Sequence, residues 1–452
     1  MNVAIVGAGY VGLPTGLALA YLGHRITIIE KDSRKLELLR AGSLPIHEHG
    51  LEPLLHECAD RVRLADEASE VVGDADIIII AVGTPQMGNG KADTQYVEAA
   101  AGEVAQGLQS GRRYAVVVKS TVPVGTNRRV ANVVHRVLRE REAQVLVGFA
   151  SNPEFLREGN ALRDTLYPDR IVVGSESEET VEMLHQLYRP LLEQTFEPPT
   201  FMPRPEGFRL PPMITTDPTS AEMIKYAANA FLATKISFIN DIACLCERIG
   251  ADVSEVARGI GLDARIGHRM LGAGIGWGGS CFPKDTAAIL AVASEYGESM
   301  PMILAARQVN FSQRRRAVDR LQDALKVLRG QVVGVLGLAF KPDTDDVRDS
   351  PAMDIIRLLL ERGAHVRAHD PISIPAAQKE LEGLDVEFLT SPYAVADGAD
   401  ALLIATDWEE YRKLDFAKLA GVMRQPILLD GRNIIRPSDV REHGFTYLGM
   451  GR

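Results

Sequence analysis

Short, nearly pure apolar runs alternate along this chain with longer stretches whose apolar residues recur every three or four positions. Val3-Ala4-Ile5-Val6 is followed by a helical pattern from about Leu13 to Leu22 and then by Arg25-Ile26-Thr27-Ile28-Ile29. Further runs at Ile77–Ile80, Val116–Val118 and Val145–Ala150 predict more strands, and the longest, from Ile77 to Val82, lacks the polar alternation of a half-exposed strand and reads as buried. Strands separated by helical patterns predict βαβ units and a parallel sheet. The pattern restarts at Val332–Gly337, with a helix over Met353–Glu361 and strands at His365–Pro371, Ala401–Thr406 and Pro426–Asp430. Between the two halves, Met223, Tyr226, Ala230, Ala233, Ile236, Phe238, Ile242 and Leu245 predict one long helix from Ala221 to Cys246, N-capped by Thr219 or Ser220. Too little chain surrounds such a helix to cover it, which predicts a homodimer. The class is α/β, with two doubly wound domains joined by a long central helix. The expected domains are residues 1–212, 213–316 and 317–452, the polar stretch Gln313–Arg316 marking the last boundary.

Between the first strand and its helix stands Gly7-Ala8-Gly9-Tyr10-Val11-Gly12, and Glu30 closes the second strand. In a Rossmann-like unit the first glycine makes the turn and the second lets the backbone approach a pyrophosphate. The third lets helix pack on strand, so the phosphates meet a helix N-terminus. Glycines alone would fit a simple packing turn; strand, helix and spaced acid together predict a dinucleotide. Glu30 can accept hydrogen bonds from a ribose 2′-hydroxyl and would repel a 2′-phosphate, which favours NAD over NADP, with Lys31 beside it working the other way. The loops Val82-Gly83-Thr84-Pro85 and Lys119-Ser120-Thr121-Val122-Pro123 follow strands, at the edge where a parallel sheet binds its ligand. After Val145–Ala150, Glu154 and Glu158 are spaced i and i+4, on one face if the segment is helical.

The stretch Gly272–Asp285 is dense in glycine and ends in Cys281, followed by Lys284 and Asp285. A lone cysteine is usually a small buried hydrophobe. Here a cation that can favour thiolate and a carboxylate that can hold water follow at once, which points to a reacting thiol. Lys225 and Asn229 share one face of the long helix, while Cys244 and Cys246 on that helix read as core. The segment Phe340–Arg348, with Lys341 and Arg348, suits a phosphate-bearing ligand. A formal net charge of −10 argues against a nucleic-acid surface but not against small anions. The four cysteines show neither Cys-x-x-Cys nor zinc spacing with histidine, so metal and disulfide scaffolds are not expected. No apolar run approaches the roughly 20 residues that span a bilayer. A strand beginning at Val3 leaves no room for a signal peptide, which predicts a cytoplasmic protein without membrane partners.

Together these residues resemble the UDP-glucose/GDP-mannose dehydrogenase family. The likeness rests on Gly-Ala-Gly-Tyr-Val-Gly at 7–12, Lys-Ser-Thr at 119–121, Asn-Pro-Glu-Phe-Leu at 152–156 and Lys225 with Asn229. It continues through Gly-Gly-Ser-Cys-Phe-Pro-Lys-Asp at 278–285 and the 340–348 segment, so it covers essentially the whole chain. The resemblance implies an N-terminal NAD domain, a dimer-forming helix and a C-terminal nucleotide-sugar domain. It implies two successive oxidations of a sugar C6 alcohol to a carboxylate, first of all UDP-glucose to UDP-glucuronate. dTDP-glucose and GDP-mannose are alternative substrates. A catalytically silent NAD-binding module is opposed by the joint presence of Cys281, Lys225 and Asp285. By the same resemblance Cys281 is the nucleophile, forming a thiohemiacetal and then a thioester; Asp285 and Lys225 hold water or oxyanion, and Glu154 activates water, with Thr121 and Asn229 completing the site. Cofactor contacts would come from Gly7, Gly9, Tyr10, Val11, Gly12, Glu30, Thr84, Thr121, Glu158, Lys284 and Arg348. Nucleotide-sugar contacts would come from Phe155, Leu156, Lys225, Asn229, Gly278, Phe282, Phe340, Lys341 and Arg432, with Arg265 reaching from the neighbouring subunit. Two features depart from the pattern: the Pro-rich segment 197–212 is longer than usual, and Trp277 stands where the family often has another aromatic.

Overall fold

Four consecutive isoleucines, Ile77–Ile80, form a strand in which every side chain is buried, each contributing about 2 kcal/mol of apolar transfer. This strand lies in the middle of the first sheet. In the computed structural model, which describes residues 1–452, the chain divides into two compact units, Met1–Ala227 and Ala228–Arg452. The first contains β1 (Asn2–Val6), β2 (Arg25–Ile29), β3 (Val62–Ala65), β4 (Ile77–Ile80), β5 (Arg113–Val118), β6 (Leu146–Ser151), β7 (Ile171–Gly174) and β8 (Met213–Thr216). Their order is β3-β2-β1-β4-β5-β6-β7-β8, and every pair is parallel except β6 with β7. The register sets Val3 beside Ile77 and Ile5 beside Ile79. Because side chains alternate, these four face one core with Leu13 and Leu17, while Ala4, Val6, Ile78 and Ile80 face the other with Val97, Val130 and Val134. Two apolar faces explain the absence of polar alternation in these runs. The strand order reverses between β1 and β4, a switch point that opens a crevice at the carboxyl edge.

The second unit repeats the plan with β9 (Val332–Leu336), β10 (His365–His369), β11 (Val386–Phe388), β12 (Ala401–Ile404), β13 (Ile427–Asp430) and β14 (Thr446–Gly449). All are parallel, in the order β11-β10-β9-β12-β13-β14. The fold is therefore α/β with two Rossmann-like sheets.

The long helix runs from Pro218 to Ile249, 32 residues, and the division between the units falls within it. Its cap corrects the sequence expectation: Asp217, not Thr219 or Ser220, accepts the Ser220 amide at 2.9 Å and the Ser220 hydroxyl at 2.6 Å. Proline at the first helical position has no N–H to satisfy, which moves the capping residue one place ahead of it. The polar stretch Gln313–Arg316 lies inside a continuous helix, Pro301–Leu325. Its polarity is explained by buried bonding, since Arg314 donates to the Trp277 and Asp349 carbonyls and pairs with Asp354. No helix is long and apolar enough to cross a membrane.

Candidate functional site

The three glycines after β1 are each constrained differently. Gly7 has φ +107°, and a Cβ there would lie 2.8 Å from the Ala81 carbonyl oxygen. A Cβ at Gly12 would be driven into the Gly7 carbonyl, well inside the 3.0 Å that real Cβ atoms keep. At Gly9 nothing lies within 4 Å. Turn, open approach and tight helix contact thus fall on the first, second and third glycine, which is what a dinucleotide pyrophosphate needs. No side chain caps the helix Gly12–Tyr21, which leaves the positive end of its dipole to a phosphate; Tyr10 and Val11 lie in this loop. Glu30 accepts the Ala8 amide on one oxygen and the Asp32 amide on the other, both at 3.0 Å, so its charge is held beside the glycine loop. Lys31 turns away to pair with Glu103 at 2.5 Å and does not offset that charge. The loops after β4 and β5 are tied together by Thr84 Oγ1 donating to the Thr121 carbonyl at 2.8 Å and Ser120 Oγ to that of Val82 at 2.7 Å.

Past β6 the chain is not helical until Ala161, so the condition for Glu154 and Glu158 to share a helix face is not met. The Asn152 amide still bonds Val118 of β5, Glu154 Oε2 takes the Leu156 amide at 2.6 Å, and the Arg157 amide goes to Asp164 at 2.8 Å. Donors that a helix would use are spent on side chains, and helix begins only at Ala161. Glu154 is buried and ion-paired with buried Lys225 at 2.9 Å, and Thr121 Oγ1 donates to it at 3.4 Å. Burial alone would raise the Glu154 carboxyl; the Lys225 charge and hydrogen bond, the Leu156 amide and Lys119 outweigh it and hold the group below its ordinary value. The Phe155 ring has two cations close to it, the Arg170 guanidinium 3.8 Å and the Lys225 ammonium 5.5 Å from its centre. Glu158 lies on the turn that follows, where buried Glu48 accepts the Gly159 and Ala161 amides at 2.8 and 2.7 Å.

In the second unit Cys281 is half-buried at the head of the helix Phe282–Glu295, its Sγ 3.6 Å from Ser280 Oγ. Asp285, one turn on, is fully buried, and its carboxylate takes Asn229 Nδ2 at 2.6 Å and Lys284 Nζ at 2.8 Å. Lys284 therefore serves that carboxylate directly. The glycines let this loop lie against the 340–349 segment: Gly279 (φ +85°) would place a Cβ 2.6 Å from the Phe340 ring, Gly278 abuts the Asp349 carbonyl, and the Gly279 amide donates to Arg348 O at 3.0 Å. Arg432 binds the same loop, donating to the carbonyls of Gly276 at 2.8 Å, Ala405 at 2.7 Å and Phe340 at 3.5 Å. Lys341 sits 5.8 Å from the Phe340 ring centre, and Arg348 forks onto Asp346. Phe282 meets Trp277 edge-on at 6.1 Å. Cys281, Lys284, Asp285, Asn229, Gly278, Phe282, Phe340 and Arg432 are thus joined through direct contacts or one continuous loop. Arg265 is 89% exposed and paired with Asp263, apart from that cluster.

Trp277 points into the protein, donating its indole N–H to Ser237 at 3.0 Å and its amide to Asn310 at 2.7 Å. The segment 197–212 packs on its own unit: Tyr21 and Tyr167 donate to the Glu197 and Met202 carbonyls, and Phe208 packs against the Tyr167 ring. Sequence reasoning gave no role to Lys119 or Glu222. Glu222, one turn before Lys225, accepts the Gly125 and Asn127 amides at 2.6 and 2.8 Å and so caps the helix Thr126–Glu140; burial raises its carboxyl pKa against those bonds.

Residues 1–192 match the NAD binding domain of the UDP-glucose/GDP-mannose dehydrogenase family, 219–312 its central domain and 334–437 its UDP binding domain. The chain is 44% identical to UDP-glucose 6-dehydrogenase TuaD of Bacillus subtilis (strain 168), over 100% of this chain and 93% of that protein. It is also 44% identical to UDP-glucose 6-dehydrogenase of Rhizobium meliloti (strain 1021), over 100% of both. Among solved structures, a UDP-glucose dehydrogenase from the hyperthermophilic archaeon Pyrobaculum islandicum superposes with TM-score 0.88 at 41% identity, covering 100% of this chain and 97% of that one.

Proposed function

The chain belongs to the UDP-glucose/GDP-mannose dehydrogenase family, and from that premise we propose that it oxidises the C6 alcohol of UDP-glucose twice, to UDP-glucuronate. Bound NAD supplies the hydride acceptor for each oxidation. The observation that carries the reading is a half-buried thiol at a helix N-terminus, four residues from a fully buried carboxylate. An aldehyde has no second hydride to give until a nucleophile adds to it. Cys281 Sγ bonds to the aldehyde carbon, and the carbonyl oxygen becomes the thiohemiacetal oxygen. Loss of hydride from that carbon, with the hydroxyl proton, leaves a thioester. Water then adds to the acyl carbon, the C–S bond breaks, and the thiol and carboxylate are released. Glu154, held ionised, takes the proton from that water; Lys225 and Asp285 hold oxyanion and water; Thr121 and Asn229 orient Glu154 and Asp285. Gly278, Phe282, Phe340, Lys341 and Arg432, with Phe155 and Leu156, would hold the nucleotide sugar; Glu158 and Arg348 would serve the cofactor.

The reading includes a homodimer. On the helix Pro218–Ile249, Phe231, Phe238, Leu245 and Ile249 are spaced seven, seven and four apart, on one face, and each is more than half exposed. A second copy would cover that stripe and bring its Arg265 to the nucleotide sugar. Sedimentation of wild type and Phe238→Asp tests this: a dimer that the substitution splits supports it, a monomeric wild type refutes it.

The substrate assignment is tested by supplying UDP-glucose, dTDP-glucose and GDP-mannose with NAD and counting NADH per sugar. Two NADH and a uronate with UDP-glucose preferred are expected. One NADH with free aldehyde, or preference for another sugar, would overturn the reading.

A further inference from the structure

Behind Glu154 lies a lysine to which the reaction gives no task. Lys119 is the first residue past β5, and its side chain runs inward, leaving it 9% exposed. Its ammonium donates to Asn152 Oδ1 at 3.0 Å and sits 5.6 Å from the centre of the Tyr188 ring. Neither partner carries a charge to match it. Asn152 Oδ1 also receives the Tyr188 hydroxyl at 2.6 Å, and Asn152 Nδ2 donates to the Val172 carbonyl at 2.7 Å. The carboxylate whose charge Lys119 feels is Glu154, which already has Lys225 at 2.9 Å. Two buried cations therefore share one buried anion. Burial pushes the Lys119 ammonium down to about 8, Glu154 working against that shift and Lys225 with it. A charge kept out of water on a neutral partner lowers stability. Packing does not account for it, since a methionine would fill the same space and leave Asn152 its bond from Tyr188.

The proposed reaction places two demands on Lys225: it neutralises Glu154 and it holds an oxyanion. When its charge is shared with the oxyanion, Glu154 is left in a buried setting that favours the protonated acid. A protonated Glu154 cannot accept a proton from water. The groups facing Glu154 are Lys119 and Thr121 from the loop after β5, the Leu156 amide from its own segment, and Lys225 from the long helix; Asn152 and Tyr188, the latter from the helix Glu178–Glu193, hold Lys119. Glu222, on the long helix, is committed to the Gly125 and Asn127 amides. Lys119 is the cation in this set that is anchored away from the oxyanion's partner.

We propose that Lys119 is a positioning residue that keeps Glu154 ionised, and so able to act as the base for thioester hydrolysis, while Lys225 serves the substrate. The inference rests on Glu154 being that base.

The test uses the full-length enzyme with NAD and UDP-glucose radiolabelled in the sugar. After mixing and acid quench, the decay of protein-bound label gives the hydrolysis rate across pH 5 to 9, for wild type, Lys119→Met, Lys119→Arg, Asn152→Asp and Glu154→Gln. The acid limb of the wild-type profile should move up by about one pH unit in Lys119→Met, so that hydrolysis near pH 6 falls about tenfold. Rates at pH 9 should converge and KM for the sugar should stay within about twofold. Lys119→Arg should keep the wild-type limb. Asn152→Asp, isosteric, gives Lys119 a carboxylate of its own and should also raise the limb, which carries the test should Lys119→Met fail to fold. A limb unmoved in both Lys119→Met and Asn152→Asp overturns the proposal, as does a loss equal at every pH, the mark of a merely structural role. A wild-type limb that persists in Glu154→Gln removes instead the assignment of Glu154 as base, and the two failures are told apart.

Discussion

Gly9 and Gly12 are both glycines of one loop, yet the structure predicts opposite consequences for the same added methyl. Gly12→Ala drives a Cβ into the carbonyl oxygen of Gly7, and that oxygen cannot retreat, because Gly7 is itself wedged at φ +107° against the Ala81 carbonyl. Backbone must shift, at a cost of about 3 kcal/mol or more. For a unit of this size that lowers the melting temperature by about 6 °C or more. Gly9→Ala meets nothing within 4 Å. Its methyl should leave Tm within about 2 °C of wild type, with a slight gain from the stiffer unfolded chain. The same methyl fills the space through which the pyrophosphate approaches the backbone, so NAD affinity should fall at least about tenfold, about 1.4 kcal/mol. Differential scanning calorimetry without ligand gives the first quantity and titration calorimetry with NAD the second. A Gly9→Ala protein that binds NAD normally, or a Gly12→Ala protein with unchanged Tm, would refute the reading of this cradle.

Asn229→Ala removes one of two side-chain donors from fully buried Asp285, which should cost about 2 kcal/mol and lower the transition of the second unit by about 4 °C or more; a drop below about 1 °C would contradict the account. Glu30→Gln keeps the shape but removes the charge that opposes a 2′-phosphate, so the ratio of kcat/KM for NAD over NADP should fall about tenfold, and an unchanged ratio would mean another group sets the preference. Lys119 titrates at about 8 in the folded protein against about 10.4 unfolded, so between those values only the unfolded chain holds the proton and wild-type stability gains with rising pH. Lys119→Met should therefore melt at or above wild type at pH 7, with its advantage shrinking toward pH 10; a constant gap across that range would count against a charged Lys119 in the fold.

The sheets were legible because Val, Ile and Leu runs buried on both faces have no polar alternation to confuse them. β3, β8, β11 and β14 were missed because they are short, partly exposed and mixed in polarity, and β7, Ile171-Val-Val-Gly, was missed although fully buried because an apolar run of three residues before a glycine is too short to distinguish from any buried segment. The shared face of Glu154 and Glu158 depended on a helix, and spacing alone cannot reveal that Glu154 and Asp164 would claim the backbone amides. The polar run Gln313–Arg316 gave no hint that Arg314 carries its charge inward to bind the carbonyls of Trp277 and Asp349, partners 37 and 35 positions away in sequence. The glycine loop and the thiol loop were legible in their residues, since both need glycine at fixed places for contacts that no other residue allows. The pairing of Asn229 with Asp285, and the burial of Lys119 behind Glu154, depend on distances across 56 and 35 positions of sequence and left no local pattern.

The central claim is that Cys281 carries the sugar as a covalent thiohemiacetal and thioester. Serine in its place keeps the shape but is a far weaker nucleophile and leaving group, while base, oxyanion partner and helix geometry stay in position. Mass spectrometry of acid-quenched enzyme, with NADH counted in the same turnover, addresses this directly. Wild type should show an added uronyl group on the peptide bearing Cys281 and two NADH per sugar. Well-folded Cys281→Ser should bind NAD and nucleotide sugar, show no adduct that turns over at the wild-type rate, and fail to complete the second oxidation. Near-normal conversion to uronate by folded Cys281→Ser would contradict the mechanism.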